Sequence, residues 1–279
     1  MNSNDDIRKY LQTQTLLVAL ITKDVRTHLR AVLQNVEKYT SLFKDYQCLA
    51  VDGYSSDGTW DELRDWSSRD LVRRKVFRQP SRALPRPLSL AEARNFYLTY
   101  YEDKFGRDTY LLILDTDEVN SKPIDLDLFL SCWTHKDWDM MGANQSRVYY
   151  DIWALRNADC PKDCWQMVRE TGNRYKYIDA MQIPKPPDHP LIECDSCFGG
   201  AGIYKTEHLV SCRYYSFYPV GTQFPSQGLT TFQQNANDGL VITMTAGIEC
   251  CEHVPFHQQL RQRKRRLFIN PKWIIGEGR

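Results

Sequence analysis

The sequence predicts an α/β fold, a mixed and mostly parallel sheet flanked by helices, in a single domain of residues 1–279. Two observations carry this. Residues 15–77 alternate strand, helix, strand, helix, strand, the pattern of a doubly wound half. Tyr110-Leu-Leu-Ile-Leu114 is then an unbroken apolar run closing on Asp115-Thr116-Asp117. Such a run reads as a strand buried on both faces. With 279 residues, 42% hydrophobic and 12% aromatic, the chain can build a large core.

Residues 1–13 are a polar lead-in, frayed or helical. Thr15–Thr22 is a buried strand, and Leu29, Val32, Leu33, Val36 and Leu42 recur at helical spacing. Cys48–Val51 is the second strand, with Asp52 at its end. A turn-rich loop leads to Thr59, placed to cap a helix carrying Trp60, Leu63 and Trp66. Leu71–Phe77 is a third strand. Pro80, Pro85 and Pro87 mark a loop, and Ser89 starts a helix with Glu92 at the capping-box position.

After Asp117 the pattern changes. Leu126–Trp133 reads as a helix, and Trp138–Asn144 and Val148–Leu155 as strands. Residues 157–192 are proline-rich and irregular, a functional or mobile loop by length. Cys197–Tyr204 is a Gly-rich strand, a helix follows near Thr206–Cys212, and Leu240–Ile248 is a strand ending at Glu249. A basic run, Arg261–Arg266, precedes a short strand at Leu267–Ile269.

Composition narrows the class. Lys plus Arg total 36 against 35 Asp plus Glu, a net charge of +1 that points to neither nucleic acid nor a membrane surface. Thr15–Thr22 is too short to span a bilayer, and Met1–Tyr10 is no signal peptide. A cytoplasmic protein without an integral membrane segment is expected. The nine cysteines are scattered and do not read as a disulfide framework. Cys160, Cys164, Cys194 and Cys197 offer a loose zinc spacing, with free buried thiols as the default.

Ligands of open α/β sheets bind beyond the carboxyl ends of the strands, where Asp115 and Asp117 fall. Paired carboxylates there suit a hard divalent cation that also holds a diphosphate. Asp and Asn are also turn formers, so a plain strand-ending loop is the competing reading.

Several motifs agree on one family. Val51-Asp52-Gly-Tyr-Ser-Ser-Asp57-Gly58-Thr59, Ala93-Arg94-Asn95 and Asp115-Thr-Asp117 resemble, in order and spacing, those of GT-A-fold glycosyltransferases. Phe198-Gly-Gly-Ala-Gly-Ile-Tyr-Lys205 and Cys251-Glu-His-Val-Pro-Phe-His257 look most like the capsule-type group, including the Cap59-like members. They also resemble transferases encoded by large DNA viruses. The resemblance covers about Leu16 to Trp273. It implies a Rossmann-like GT-A sheet, a nucleotide-sugar donor (a UDP-sugar favoured, GDP-mannose the alternative), a Mn²⁺ or Mg²⁺ cofactor, and a glycan or glycoprotein acceptor. Residues 15–120 would then form the nucleotide-sugar-binding half and residues 121–279 the acceptor-binding and catalytic half.

Within that reading each residue type has a task. Asp117 is the expected direct metal ligand, with Asp115 sharing the metal through water or touching the ribose. Asp52 is placed to accept hydrogen bonds from base or ribose, and Arg94 offers a fork for phosphate. An acceptor hydroxyl needs a base if the anomeric carbon inverts. Glu252 is the first candidate, Asp195 the second, Glu249 and Asp238 weaker ones. The resemblance adds His253 to the metal, while His257 is expected to be structural. Tyr150, Asp151 and Trp153 suit an acceptor sugar, or else a packed aromatic strand. Gly199 and Gly200 let backbone approach a ligand closely. The run Arg261–Arg266 is by default a solvated face.

Two rivals share the fold. A sugar-nucleotide nucleotidyltransferase needs a Gly-rich loop after the first strand, which Thr22-Lys-Asp-Val-Arg26 lacks. A non-catalytic carbohydrate-binding protein would not require the carboxylates to be intact.

Overall fold

The computed structural model describes residues 3–82, 84–217, 230–235, 241–246 and 249–277. The first half runs α1 (Asn4–Leu11), β1 (Thr15–Thr22), α2 (Arg26–Thr40), β2 (Asp45–Asp52), α3 (Thr59–Ser68), β3 (Arg74–Arg78), α4 (Arg86–Tyr101) and β4 (Thr109–Asp115). There follow α5 (Leu126–Leu130), β5 (Met140–Gln145), α6 (Cys164–Thr171), α7 (Arg174–Tyr177), β6 (Ile192–Cys194) and β7 (Ala201–Lys205). The last are β8 (Thr230–Asn235), β9 (Val241–Ala246), α8 (His253–Gln262) and β10 (Leu267–Gly276).

The main sheet has the order β3-β2-β1-β4-β7-β5-β10-β6, and β8 and β9 form a separate antiparallel pair. β3, β2, β1 and β4 are mutually parallel, β5 and β10 are parallel, and β7 and β6 run against their neighbours. Alternate residues of each central strand enter two cores. Leu17 and Ala19 of β1 and Leu111 and Ile113 of β4 pack with Ala93, Tyr97, Phe256 and Leu260 from α4 and α8. Leu16, Val18, Leu20, Leu112 and Leu114 pack on the opposite face with Leu29, Val36, Leu63 and Trp66 from α2 and α3. Both faces are covered, which is why these strands read as continuous apolar runs.

Several elements differ from the sequence reading. Thr59 does not cap α3. Gly58, at φ +96, precedes the helix, and the Thr59 hydroxyl instead accepts the Val25 N–H. α4 begins at Arg86, because Pro85 and Pro87 suit the first turn, where the missing N–H would have no helical partner. Glu92 does not close a capping box; it receives Gln79 and Ser81 from the preceding loop.

Val148–Leu155 is not a strand. Asp151 accepts the Ala154 and Gly199 N–H groups, which turns the chain while Tyr149 is buried. The irregular segment 157–192 holds α6, capped by Asp163 and ended by Gly172 at φ +70, followed by α7. Near Thr206 only a 3₁₀ turn forms, Thr206–His208. The last strand is longer than expected and absorbs Pro271 at a register shift. Asp238 and the ends of the Leu240–Ile248 segment lie outside the described residues.

Candidate active site

β1 has β2 on one side and β4 on the other, so strand order reverses between β1 and β4. A crevice opens at such a switch point. Here it is a cleft of about 560 Å³. Ile21 and Lys23 line it from the end of β1, and Asp115, Thr116 and Asp117 from the end of β4. Arg86, Leu90 and Arg94, four apart, form one stripe along α4. Phe198, Cys251, Glu252 and His253 close the inner end. Tyr150–Trp153, Trp165, Arg174, Ile178 and Gln182 form the far wall.

Arg94 is the hub. Its Nε donates to Glu252 Oε1 at 2.8 Å, its Nη2 lies 3.6 Å from Asp115 Oδ1, and its Nη1 donates to the Tyr97 hydroxyl at 3.4 Å. The guanidinium also lies over the Phe198 and Tyr214 rings. Burial disfavours its charge, but Tyr97, Glu252, Tyr214 and Asp115 together outweigh that and hold it firmly cationic. The Asp115 side chain is 35% exposed, against 4% for Arg94 and 3% for Glu252, so Asp115 is the most open of the three, while Arg94 and Glu252 line the cleft more deeply.

The carboxylates are crowded. Burial pushes the Asp115 carboxyl up to about 7. Arg94 opposes the rise, and Asp117, Asp151 and Glu252 add to it. Asp151 is also raised, by burial first, against the N–H bonds from Gly199 and Ala154. Asp117 Oδ1 accepts the Val119 N–H at 3.3 Å and so caps the turn Glu118–Asn120. Asn120 ties this turn down by donating to the Asp115 and Gly200 carbonyls.

His253 is 2% exposed and stacks on Phe198 with centroids 4.0 Å apart. Neither ring nitrogen has a hydrogen-bond partner among the described residues. Burial, Arg94 and His257 hold it well below the usual histidine range, so it is a neutral imidazole. That is the ligating form of histidine, and an orphaned buried polar side chain calls for a partner. No three His, Cys, Asp or Glu side chains are already gathered as a metal cage among the described residues. Mg²⁺ and Mn²⁺ need none, since one or two carboxylates plus phosphate oxygens suffice. The residues of the cleft therefore fit such a metal.

Other expected site residues lie elsewhere. Asp52 is fully buried at the end of β2 and does not line the cleft. Thr22, the Ser55 amide and hydroxyl, and Arg78 take up its oxygens. Asp195 is exposed and ion-paired with Arg261, away from the cleft. Gly199 and Gly200 are buried behind it, at φ +69 and +84. A Cβ on Gly199 would lie 2.5 Å from the Ala143 carbonyl, and one on Gly200 2.7 Å from Val119 Cγ1. Packing, rather than access for a ligand, accounts for both.

Tyr150, Asp151 and Trp153 do line the cleft, with the Trp153 indole N–H bonded to Asp163. His257 is structural, bridging Ser196 and Tyr204 at 2.9 Å each. The basic run is engaged locally: Arg261 and Arg266 pair with Glu193, and Arg263 donates to the His208 and Val210 carbonyls. All nine cysteines are free and buried.

No family model and no curated protein matches the sequence. Solved structures do match. Residues 1–349 of S. aureus TarS align at a TM-score of 0.51 and 10% identity, over 95% of this chain and 60% of that one. The fold is GT-A. A mannosyltransferase from Pyrobaculum calidifontis, in complex with GDP-Man and Mn²⁺, aligns at a TM-score of 0.40 and 15% identity, over 73% of this chain and 51% of that one. Glucosyl-3-phosphoglycerate synthase from Mycobacterium tuberculosis, in complex with UDP, aligns at 0.45 and 13%, over 77% and 64%. This chain thus spans between half and two thirds of the length of these structures. Among the described residues no helix is long and apolar enough to cross a membrane.

Sequence reasoning missed Arg86, Trp165, Arg174 and Gln182 of the cleft. Arg86 was discoverable: stepping back by four from Arg94 through Leu90 reaches it once the helix is started at the prolines. Trp165 and Arg174 sit on α6 and α7, which Asp163 at the N-cap and Gly172 after the last turn announce.

Proposed function

We propose that this chain is a metal-dependent glycosyltransferase that moves a sugar from a nucleotide-diphosphate sugar to a hydroxyl of a glycan or glycoprotein. The observation that carries it is one convergence. Asp115, Asp117, Asp151 and Glu252 line a single cleft at the switch point of a GT-A sheet, with a buried His253 among them whose ring nitrogens have no hydrogen-bond partner among the described residues. Among the described residues that line the cleft, Arg94 is the buried Lys or Arg side chain.

Asp117 and Asp115 would hold Mn²⁺ or Mg²⁺, with His253 in reach of the same space. When bound, the metal offsets the charge that builds on the departing diphosphate. Residues 15–120 hold the donor and residues 121–279 the acceptor. Tyr150, Asp151 and Trp153 orient the acceptor by stacking and by accepting its hydroxyls. Glu252 acts as the base of an inverting reaction. Arg94 holds Oε1, and Oε2 takes the proton of the attacking hydroxyl. The acceptor oxygen bonds to the anomeric carbon as the bond to the diphosphate oxygen breaks, and the nucleoside diphosphate leaves. A UDP-sugar is the favoured donor, and GDP-mannose with retention is the alternative.

The test is a thermal-shift screen of nucleoside diphosphates and nucleotide sugars, with and without Mn²⁺. A ligand that binds only the folded chain raises its apparent stability. A Mn²⁺-dependent shift with one nucleotide, lost in Asp117→Ala, supports the reading and names the base. No shift with any nucleotide removes the donor site and leaves a carbohydrate-binding protein. Transfer to an acceptor, or slow donor hydrolysis, separates an enzyme from a binder.

A further inference from the structure

We infer that Arg86, not Arg94, is the cation that meets a phosphate group at the mouth of the cleft. The inference deepens the nucleotide-sugar reading and rests on it. Four Lys or Arg side chains among the described residues line the cleft: Lys23, Arg86, Arg94 and Arg174. Arg94 is spent on Glu252, Asp115 and Tyr97 and is 4% exposed. Lys23 Nζ donates to the Gly53 and Tyr54 carbonyls at 2.7 and 3.2 Å. Arg174 is 3.5 Å from Asp179 and lies over the Trp165 ring. Arg86 is exposed and lines the cleft, and its side chain makes no hydrogen bond, ion pair or ring contact among the described residues.

Position supports the assignment. Arg86 and Arg94 share the α4 stripe that faces the cleft, about 12 Å apart at 1.5 Å per residue. Arg94 neutralises carboxylates at the inner end, and Arg86 stands two turns nearer the entrance. It is also the first residue of a 16-residue helix with no side-chain cap, so the helix dipole adds to its attraction for an anion. A free guanidinium there forms the short, charge-assisted bonds that phosphate oxygens favour.

The test uses the full chain with Mn²⁺ and three probes: uridine diphosphate, uridine, and inorganic pyrophosphate. Titration calorimetry of wild type, Arg86→Ala and Arg86→Lys is compared. Arg86→Ala is expected to weaken both phosphate-bearing probes on the order of ten-fold and leave the nucleoside unchanged. Arg86→Lys is expected to restore part of the loss, because a lysine keeps the charge but not the fork. Equal affinity of wild type and Arg86→Ala overturns the inference while the nucleotide reading stands. Arg86-dependent pyrophosphate binding with no nucleotide binding keeps the cation site and removes the nucleotide reading. A wild type that binds neither removes both.

Discussion

Arg94 Nε donates to Glu252 Oε1 across 2.8 Å, joining residues 158 apart in the sequence. The contact ties α4 to the start of α8, and neither side chain is more than 4% exposed. A buried pair of this kind is judged by what remains when one member goes.

Arg94→Met leaves Glu252 buried without its cation. The expected cost is about 3–5 kcal/mol of unfolding free energy, read from urea denaturation. Arg94→Met combined with Glu252→Gln removes both charges and should recover a large part of it. If the double variant is as unstable as the single, the contacts of the Arg94 guanidinium with the Phe198 and Tyr214 rings, rather than its pairing with Glu252, are what hold the site.

Acid should unfold the protein through His257. Burial, then Arg94, lowers its pKa from 6.5 to about 3. The unfolded chain therefore binds the extra proton between those values, while the folded chain does not. Stability is insensitive to this group above pH 6.5 and falls as pH drops towards 3, by about 1.4 kcal/mol per unit. His257→Phe keeps a ring beside Tyr204 and should flatten that limb of the stability–pH curve. An unchanged slope would assign the acid sensitivity to other groups.

Gly199→Ala should destabilise the fold. The added Cβ would meet the Ala143 carbonyl at 2.5 Å in a left-handed backbone. Left-handed strain and overpacking together suggest about 2–4 kcal/mol. Chemical denaturation measures it; a neutral substitution would show that the Phe198–Gly200 turn relaxes freely.

The three acidic candidates should separate in one nucleotide–Mn²⁺ thermal-shift experiment. At a ligand concentration of 100 Kd the wild type gains about 2.7 kcal/mol, a shift of roughly 5 °C or more. Asp117→Ala should lose the shift. Asp195→Ala should keep it, because that exposed carboxylate pairs with Arg261 outside the cleft. Asp52→Ala should lower the melting temperature of the free protein, since Arg78 loses its buried partner, while a shift with ligand persists. Loss of the ligand shift in Asp195→Ala would contradict the site as described.

The strands were legible because each carries its burial in its own residues. Leu16–Leu20 and Tyr110–Leu114 are apolar on both faces, and both are covered by helices. Asp115, Asp117 and Glu252 were legible as candidates because acidic groups stand beside apolar segments. The segment Val148–Leu155 misled for the same reason. Tyr149, Ile152 and Leu155 are buried as a strand's residues would be, but Asp151 bends the chain by capturing backbone N–H groups, one of them from Gly199, 48 residues away. No local pattern announces such a bond.

From the sequence alone came the α/β class, the buried strands and the acidic strand end. Those follow from composition and period, which act within a few residues of one another. Which charges are free and which are spent was decided only by the tertiary structure. Asp52 is consumed by Arg78, Asp195 by Arg261 and Arg94 by Glu252, while Arg86 is left open. Ion pairing depends on distances of a few ångströms between residues brought together by sheet order and helix packing, and spacing along a chain does not contain those distances.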